Sequence, residues 1–436
     1  MNVLHDRIAT LRAALDADEA LALLRRAIAA PSVTGDEAAF AGLLAGELKL
    51  LGADTIAVKD FAPDRPNVSA MLRGEGGGPR ILIVGHTDTV HARGWAERWA
   101  GTDRVDPYGG AVVAGEVWGR GSGDLKAGIC AALSAVRLLA RVGAKRPGEI
   151  QFAFVGDEES GEPGSGVSAG MKAFVDSVLA DEAPRPDIAI YVEPTRLNVY
   201  AAQMGFLICD ITITGRSAYF GVPELGVDAL KAGHAVLSAL WTHSAALETA
   251  TPHPLVGKPF LLVTEMSAGG LIAVPGECRI SLILKLIPGQ SLDEAKAALE
   301  ASVRSARLAP EVRVAFSYPA GRDHALGGTP TETPADSRFV ELLVEAVRSV
   351  RPDRGAIEGA PYWSEAPFLN ALGVPTVYFA PGDIRNCHTL EERVELAEYF
   401  DGIVALAAFL SALADEPFVQ RGRGLAATRL KLRRAT

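Results

Sequence analysis

Three apolar, strand-like runs each end in a histidine or an acidic residue, and this recurrence constrains the chain more than any single motif. Ile81-Leu82-Ile83-Val84 leads into Gly85-His86-Thr87-Asp88-Thr89; Ile150 to Val155 leads into Gly156-Asp157-Glu158-Glu159-Ser160; Ile188 to Val192 leads into Glu193-Pro194. Short β-branched runs of this kind read as buried strands, and in open α/β sheets ligands bind at the carboxyl ends of the strands. A lone Glu-Glu pair is ordinary solvated surface, and a lone His-x-Asp is an ordinary local hydrogen bond. Several together on one sheet edge point to a shared site. Strand side chains alternate with period two, so Asp88 is expected to reach the far nitrogen of His86 and raise its basicity as a metal ligand.

Two further stretches complete the set. Gly119-Arg120-Gly121-Ser122-Gly123-Asp124-Leu125-Lys126 puts an acidic residue in a glycine-rich turn before a helix, and Asn386-Cys387-His388-Thr389 supplies a late histidine. His86, Asp124, Glu159, Glu193 and His388 are read as one metal site. Two imidazoles and three carboxylates suit two borderline divalent cations, zinc first, with cobalt or manganese as alternatives.

A chain of 436 residues exceeds one ordinary domain, so two are expected. The net charge of −10 argues against nucleic acid as a partner, although Arg421 to Arg434 form a locally basic tail. Four cysteines without Cys-x-x-Cys spacing indicate neither a zinc ribbon nor a disulfide framework. The amino terminus lacks a charged start followed by an apolar core, and no later run is long enough to span a bilayer. A cytoplasmic protein with a small-molecule substrate, no nucleic acid and no membrane partner is the expectation.

In chain order, helices are predicted over Glu19 to Ala29 and up to Leu51, with capping residues between Ser32 and Glu37. Strands and helices then alternate to about Tyr200: strands at Thr55 to Val58 and Val68 to Leu72, a helix at Ala127 to Val142, and another after Gly166. That is the signature of an α/β fold, a mixed sheet covered by helices. From Gly205 the texture changes. Phe206 to Thr214, Val227 to Glu248, Phe260 to Met266, Cys278 to Leu286, Ser291 to Leu308 and Val312 to Tyr318 read as β-α-β-β-α-β, a split βαβ and hence a ferredoxin-like α+β insertion. After Pro319 the first pattern resumes with a helix at Ser337 to Val350, a strand at Thr376 to Phe379 and a helix at Glu395 to Ala414. The expected division is 1–204 with 319–436 as the metal-binding catalytic domain and 205–318 as an inserted lid and dimerisation domain.

His-Thr-Asp, Gly-Arg-Gly-x-x-Asp-x-Lys, Glu-Glu-Ser-Gly and the late His-Thr-x-x-Glu resemble, in combination, the co-catalytic metallohydrolases that include acetylornithine deacetylase, succinyl-diaminopimelate desuccinylase, aminoacylase and glutamate carboxypeptidase. Tyr362-Trp363-Ser364-Glu365-Ala366-Pro367-Phe368 and Ala380-Pro381-Gly382 resemble the acetylornithine deacetylase branch. The resemblance implies His86 and Glu193 on one metal, Glu159 and His388 on the other, and Asp124 bridging. It implies Asp88 orienting His86, Glu158 as general base, a cis peptide after Asp124, and a homodimer or higher oligomer built through the lid. Two cations bridged by a carboxylate acidify a shared water and polarise the group it attacks. A Glu outside the metal shell can then shuttle the proton to the leaving nitrogen.

The lid departs from the pattern. Where most members have Ser-Ala-His, whose histidine reaches across the dimer to the oxyanion, this chain has Ser217-Ala218-Tyr219. Losing one oxyanion donor costs roughly a hundred- to a thousandfold in rate. The usual Asn before Val-x-Pro is Ala273, and the usual Asp-x-Arg is Ile283-Leu284-Lys285. Tyr219, Phe220, Tyr362 and Trp363 are large apolar surfaces with few polar handles. The substrate contacts expected are Tyr219, Trp363, Glu365 and Lys285. The reading is a hydrolase of a C–N bond, most simply an N-acyl amino acid-like amide, with an atypical substrate. A hydrolytic deaminase of an aromatic amine such as a nitroanthranilate competes with it, because charge then develops over the ring rather than on an amide oxygen. A non-catalytic binding protein on the same scaffold is the reading from another class, and the retained Glu158 speaks against it.

Overall fold

The computed structural model describes residues 3–75, 78–160 and 164–416; the basic run from Arg421 to Arg434 lies outside the described residues. Strands form two main sheets. The larger has nine strands, and its centre runs Glu149–Val155, Arg80–His86, Ile188–Tyr191 and Thr376–Tyr378. These four neighbours are mutually parallel, while Thr55–Ala62 and Arg65–Arg73 add antiparallel at one side. The sheet is therefore mixed. Its central strands are buried on both faces, which is why they read as unbroken apolar runs rather than as alternation.

Helices cover both faces of this sheet. Ala127–Val142 is buried along most of its length, and Gly128 is why it can approach the sheet: a Cβ there would lie 2.1 Å from the Val192 carbonyl oxygen. The helix Leu396–Leu413 corrects the expectation that no run is long enough to span a bilayer. Its length and composition would allow it, yet 72% of it is buried inside the fold, so it is a core helix. The four cysteines are free and buried.

The smaller sheet runs Phe260–Ala268, Glu277–Leu286, Gly205–Thr214, Arg313–Ser317, antiparallel throughout. With helices Ala229–Glu248 and Leu292–Arg304 this is the β-α-β-β-α-β insertion, with its own apolar core built on Leu207, Ile211, Val236, Ile280 and Leu299. Helix starts are where side chains can cap them: Asp228 accepts from Leu230 N and Lys231 N, and Ser291 from Glu294 N. Hydrogen bonding to the small sheet continues past residue 318, because Gly327–Gly328 pairs with Leu207 and Phe206.

Some elements carry no clear signal in the sequence. Val3–Ala14 is a further helix, Val199–Gln203 is a strand of the large sheet, and Ala111–Val113, Glu116–Trp118 and Arg393–Glu395 form a separate three-stranded sheet. The helix Ala38–Leu50 begins at Glu37 without a side-chain cap. Glu37 instead turns into the interior to pair with Arg65 at 2.5 Å, and Arg65 in turn reaches Asp157 at 3.0 Å.

Candidate metal centre

The carboxyl ends of the four parallel strands lie side by side, so the residues just beyond each strand meet those just beyond its neighbours. His86 is the last residue of its strand. Its Nε2 stands 3.0 Å from Asp124 Oδ1 and 3.8 Å from Glu193 Oε1. His388 Nε2 stands 3.2 Å from Asp124 Oδ2 and 2.8 Å from Glu159 Oε1. Asp124 thus faces one imidazole with each oxygen. His86, Asp124, Glu159 and Glu193 are buried, while the His388 side chain is half exposed, so the group opens to solvent on that side. The peptide joining Asp124 to Leu125 is cis.

His86 Nδ1 donates to the main-chain carbonyl of Asp88 at 2.9 Å, and the Asp88 carboxylate is farther, at 3.8 Å. This corrects the expected contact: the strand ends at His86, the chain turns, and the carbonyl rather than the carboxylate reaches the ring. The Asp88 carboxylate instead accepts from Glu158 N at 3.2 Å, Glu159 N at 2.9 Å and the Thr34 hydroxyl at 3.0 Å. Burial pushes its carboxyl up to about 6, the His86 charge opposing.

These residues fit a divalent cation. One donor atom each from His86, Asp124 and Glu159 can be chosen so that all lie within 4.8 Å of one another. Bonds of about 2.0–2.2 Å to a tetrahedral ion put neighbouring donors roughly 3.3 Å apart, close to the His86–Asp124 and His388–Asp124 separations. The proton on His86 Nδ1 is occupied by the Asp88 carbonyl, which leaves the Nε2 lone pair aimed at carboxylate oxygen. That arrangement is repulsive unless positive charge lies between. The electrostatics agree. Burial pulls the His388 imidazole down, but Asp124 and Glu159 more than offset it and raise it to about 11. Burial, then the Asp124 charge, pushes Glu193 up to about 8.

Glu158 stands beside this group, half-buried. Burial and then the Glu159, Glu193 and Glu365 charges push its carboxyl well above the usual range, with His86 opposing. It follows Asp157, which sits in the left-handed region at φ 73° and is held there by amide donors from Gly166, Val167 and Ala169.

The expected substrate contacts separate into three places. Trp363 packs its edge on Phe206 at 5.5 Å, and its Nε1 donates to the Thr329 carbonyl. Lys285 lies opposite Phe206 in the small sheet, with Nζ 5.9 Å from the ring. Glu365 is fully buried and accepts from the Tyr191 hydroxyl at 2.8 Å, close enough to Glu158 for its charge to raise that carboxyl. Tyr219 is 62% exposed, against Phe220 at 4.5 Å, on a lid loop away from the other aromatics.

Three residues near the group were not among the expected site residues. Ser364 donates to Glu193 Oε1 at 2.7 Å. Thr34 reaches Asp88 from a loop distant in sequence. Arg322 lies 5.8 Å over the Trp363 ring and its Nη1 donates to the Glu158 carbonyl at 3.5 Å. Arg322 forms no ion pair with any described carboxylate.

The fold and the donor group define a metal-dependent hydrolase. The chain belongs to peptidase family M20/M25/M40, whose family model matches residues 82–412. It is similar to acetylornithine deacetylase of Proteus mirabilis, 28% identical over 389 residues, covering 86% of this chain and 92% of that protein. It is equally similar to succinyl-diaminopimelate desuccinylase of a Methylobacterium species, 28% identical over 409 residues, 91% of this chain and 96% of that one. Among solved structures, aminopeptidase PepT from Bacillus cereus superposes with a TM-score of 0.70 at 15% identity, over 92% of this chain and 100% of that chain. A dinuclear metal-binding peptidase of the same family from Bacillus subtilis superposes at 0.60 and 13% identity, over 91% and 98%. At such identities the superpositions show the common fold.

Proposed function

We propose that this metal-dependent hydrolase cleaves the C–N bond of a small, anionic, largely apolar amide, with residues 1–204 and 319–436 as the catalytic domain and 205–318 as its lid. The observation that carries this is the convergence of His86, Asp124, Glu159, Glu193 and His388, with Glu158 at their side. His86 and Glu193 would hold one cation and Glu159 and His388 a second, with Asp124 placed to serve either. Cations bound there would acidify the attacking water and polarise the scissile carbonyl. Glu158 Oε takes the proton from that water and returns it to the leaving nitrogen. A carboxyl pushed up from its usual range is suited to both transfers. Asp88 fixes the 158–159 main chain, so Glu158 is presented at a set height above the donors.

On the substrate side, the Arg322 fork, which forms no ion pair among the described residues and lies over Trp363, suits a carboxylate. Trp363 and Phe206 offer an apolar wall beside it. A homodimer through the lid is part of this proposal. Tyr219, Phe220, Leu271 and Ile272 are all more than half exposed on lid loops, and pairing of lids would cover them. Hydrolytic deamination of an aromatic amine bearing a carboxylate is the second reading, favoured by the Phe206–Trp363–Arg322 stack. A screen of N-acyl amino acids against aromatic amines, read by acid release and by ammonia release, separates the two. Turnover of neither class by metal-loaded protein would favour the non-catalytic reading.

A further inference from the structure

The charged residues of the sequence motifs that have no part in the proposed chemistry include Arg120, from Gly-Arg-Gly-x-x-Asp-x-Lys, and Glu392, from His-Thr-x-x-Glu. They meet inside the protein. Arg120 and Glu392 are 2% and 1% exposed, and Arg120 Nη1 donates to Glu392 Oε2. Arg120 Nη2 donates to the Thr389 carbonyl at 3.0 Å, next to His388. The other oxygen, Glu392 Oε1, accepts the main-chain amides of Gly123 and Asp124, both at 3.1 Å. Gly119 N closes the connection by donating to the Glu392 carbonyl at 3.2 Å.

A buried ion pair is a poor source of stability, because desolvation offsets most of its attraction. This one has a second use for each partner. The guanidinium holds the segment that carries His388, and the carboxylate holds the turn that carries Asp124. Those two side chains approach to 3.2 Å, with His388 in the left-handed region at φ 60°. The remaining oxygen of Glu392 is saturated by two amides, so its acceptor directions fix the Asp124 main chain from below.

We propose that Arg120 and Glu392 are positioning residues that set the spacing of Asp124 and His388, so that both donors meet the same cation. This rests on the metal reading under the proposed function. It also accounts for why the two motifs occur together: each supplies one half of the clamp on the other's donor.

The test is zinc affinity by chelator competition, with unfolding of the zinc-free protein followed in parallel. Glu392→Gln keeps the shape but presents an amide NH2 to Arg120 or to the turn, and zinc should bind roughly 10- to 100-fold more weakly. Arg120→Lys keeps the charge and loses the fork; a smaller loss in the same direction is expected, and this variant carries the test if Glu392→Gln does not fold. A lower melting temperature with unchanged zinc affinity in the folded variant would make the pair merely structural and overturn the proposal. Wild-type protein that takes up no zinc would sink the metal reading itself. Wild type that binds zinc no more tightly than Glu392→Gln sinks only the clamp.

Discussion

His388 Nε2 stands 2.8 Å from Glu159 Oε1, although 229 residues separate them along the chain. The whole inserted sheet lies between the two in sequence, and the large sheet closes around it when the Thr376–Tyr378 strand pairs parallel to Ile188–Tyr191. The donor group therefore exists only in the folded chain, with its second half supplied last.

That dependence makes metal removal informative. Dialysis against a strong chelator should abolish hydrolysis, and zinc, cobalt or manganese should restore it. Because cations held by donors from both ends of the chain bind the native state alone, their removal should also lower the melting temperature. Calorimetry with and without added zinc checks this. Full activity in metal-free protein would end the two-metal reading.

Glu158→Gln separates proton transfer from metal binding. The side chain keeps its size, its carboxylate takes no part in the contacts among the five donors, and its amide N–H to Asp88 is untouched. Metal content by elemental analysis should stay at the wild-type value while kcat falls roughly 10²- to 10⁴-fold. A variant that loses metal in step with its rate would make Glu158 a ligand instead.

Much of this site is legible in the sequence because it stands at strand ends. His86, Glu159 and Glu193 each follow an apolar run long enough to be recognised. The contact of Asp88 is not legible in the same way. Period-two alternation holds only while the strand continues, and the strand stops at His86. Short strands such as Glu116–Trp118 and Arg393–Glu395 are too brief to show any period. Val199–Gln203, with two alanines, lacks the β-branched density that marks its neighbours. Arg322 and Thr34 lie in loops, where no periodicity exists, and only the packing of Trp363 and Asp88 reveals them.

Lys285 gives a prediction about pH. Burial holds its ammonium down to about 8 from 10.5, and no carboxylate pairs with it among the described residues. A base whose pKa is depressed on folding binds its proton more tightly in the unfolded chain. The folded state is therefore penalised below pH 8, and the penalty fades as pH rises from 8 to 10.5. Lys285→Met should stabilise the protein at pH 7 by on the order of 1–3 kcal/mol, with the advantage shrinking toward pH 10. Urea unfolding at both values checks the sign. Equal stability of the two proteins at pH 7 would show that the ammonium is well solvated.

The lid supplies the prediction that bears most directly on substrate. Tyr219 stands where related enzymes are expected to carry a histidine, so Tyr219→His restores the missing imidazole. We expect it not to create efficient N-acetylornithine deacetylation. Tyr219 bridges to Ala273 on the neighbouring lid loop, and Ala273 has no amide to hold a carboxylate. Lys285, where an arginine is expected, lies against Phe206 with its Nζ 5.9 Å from that ring. A single ammonium also cannot reproduce a bidentate fork. The fork without a carboxylate partner among the described residues is Arg322, against Trp363, and a polar ornithine chain beside Trp363 and Phe206 would lose its hydration without a partner. The measurement is kcat/KM for N-acetylornithine in wild type and variant, alongside N-acyl aromatic amino acids. Values of about 10⁴ M⁻¹s⁻¹ or more for N-acetylornithine in the unmodified protein would refute the altered-substrate reading. A preference for aromatic acyl substrates that is lost in Trp363→Ala, with metal content unchanged, would support it.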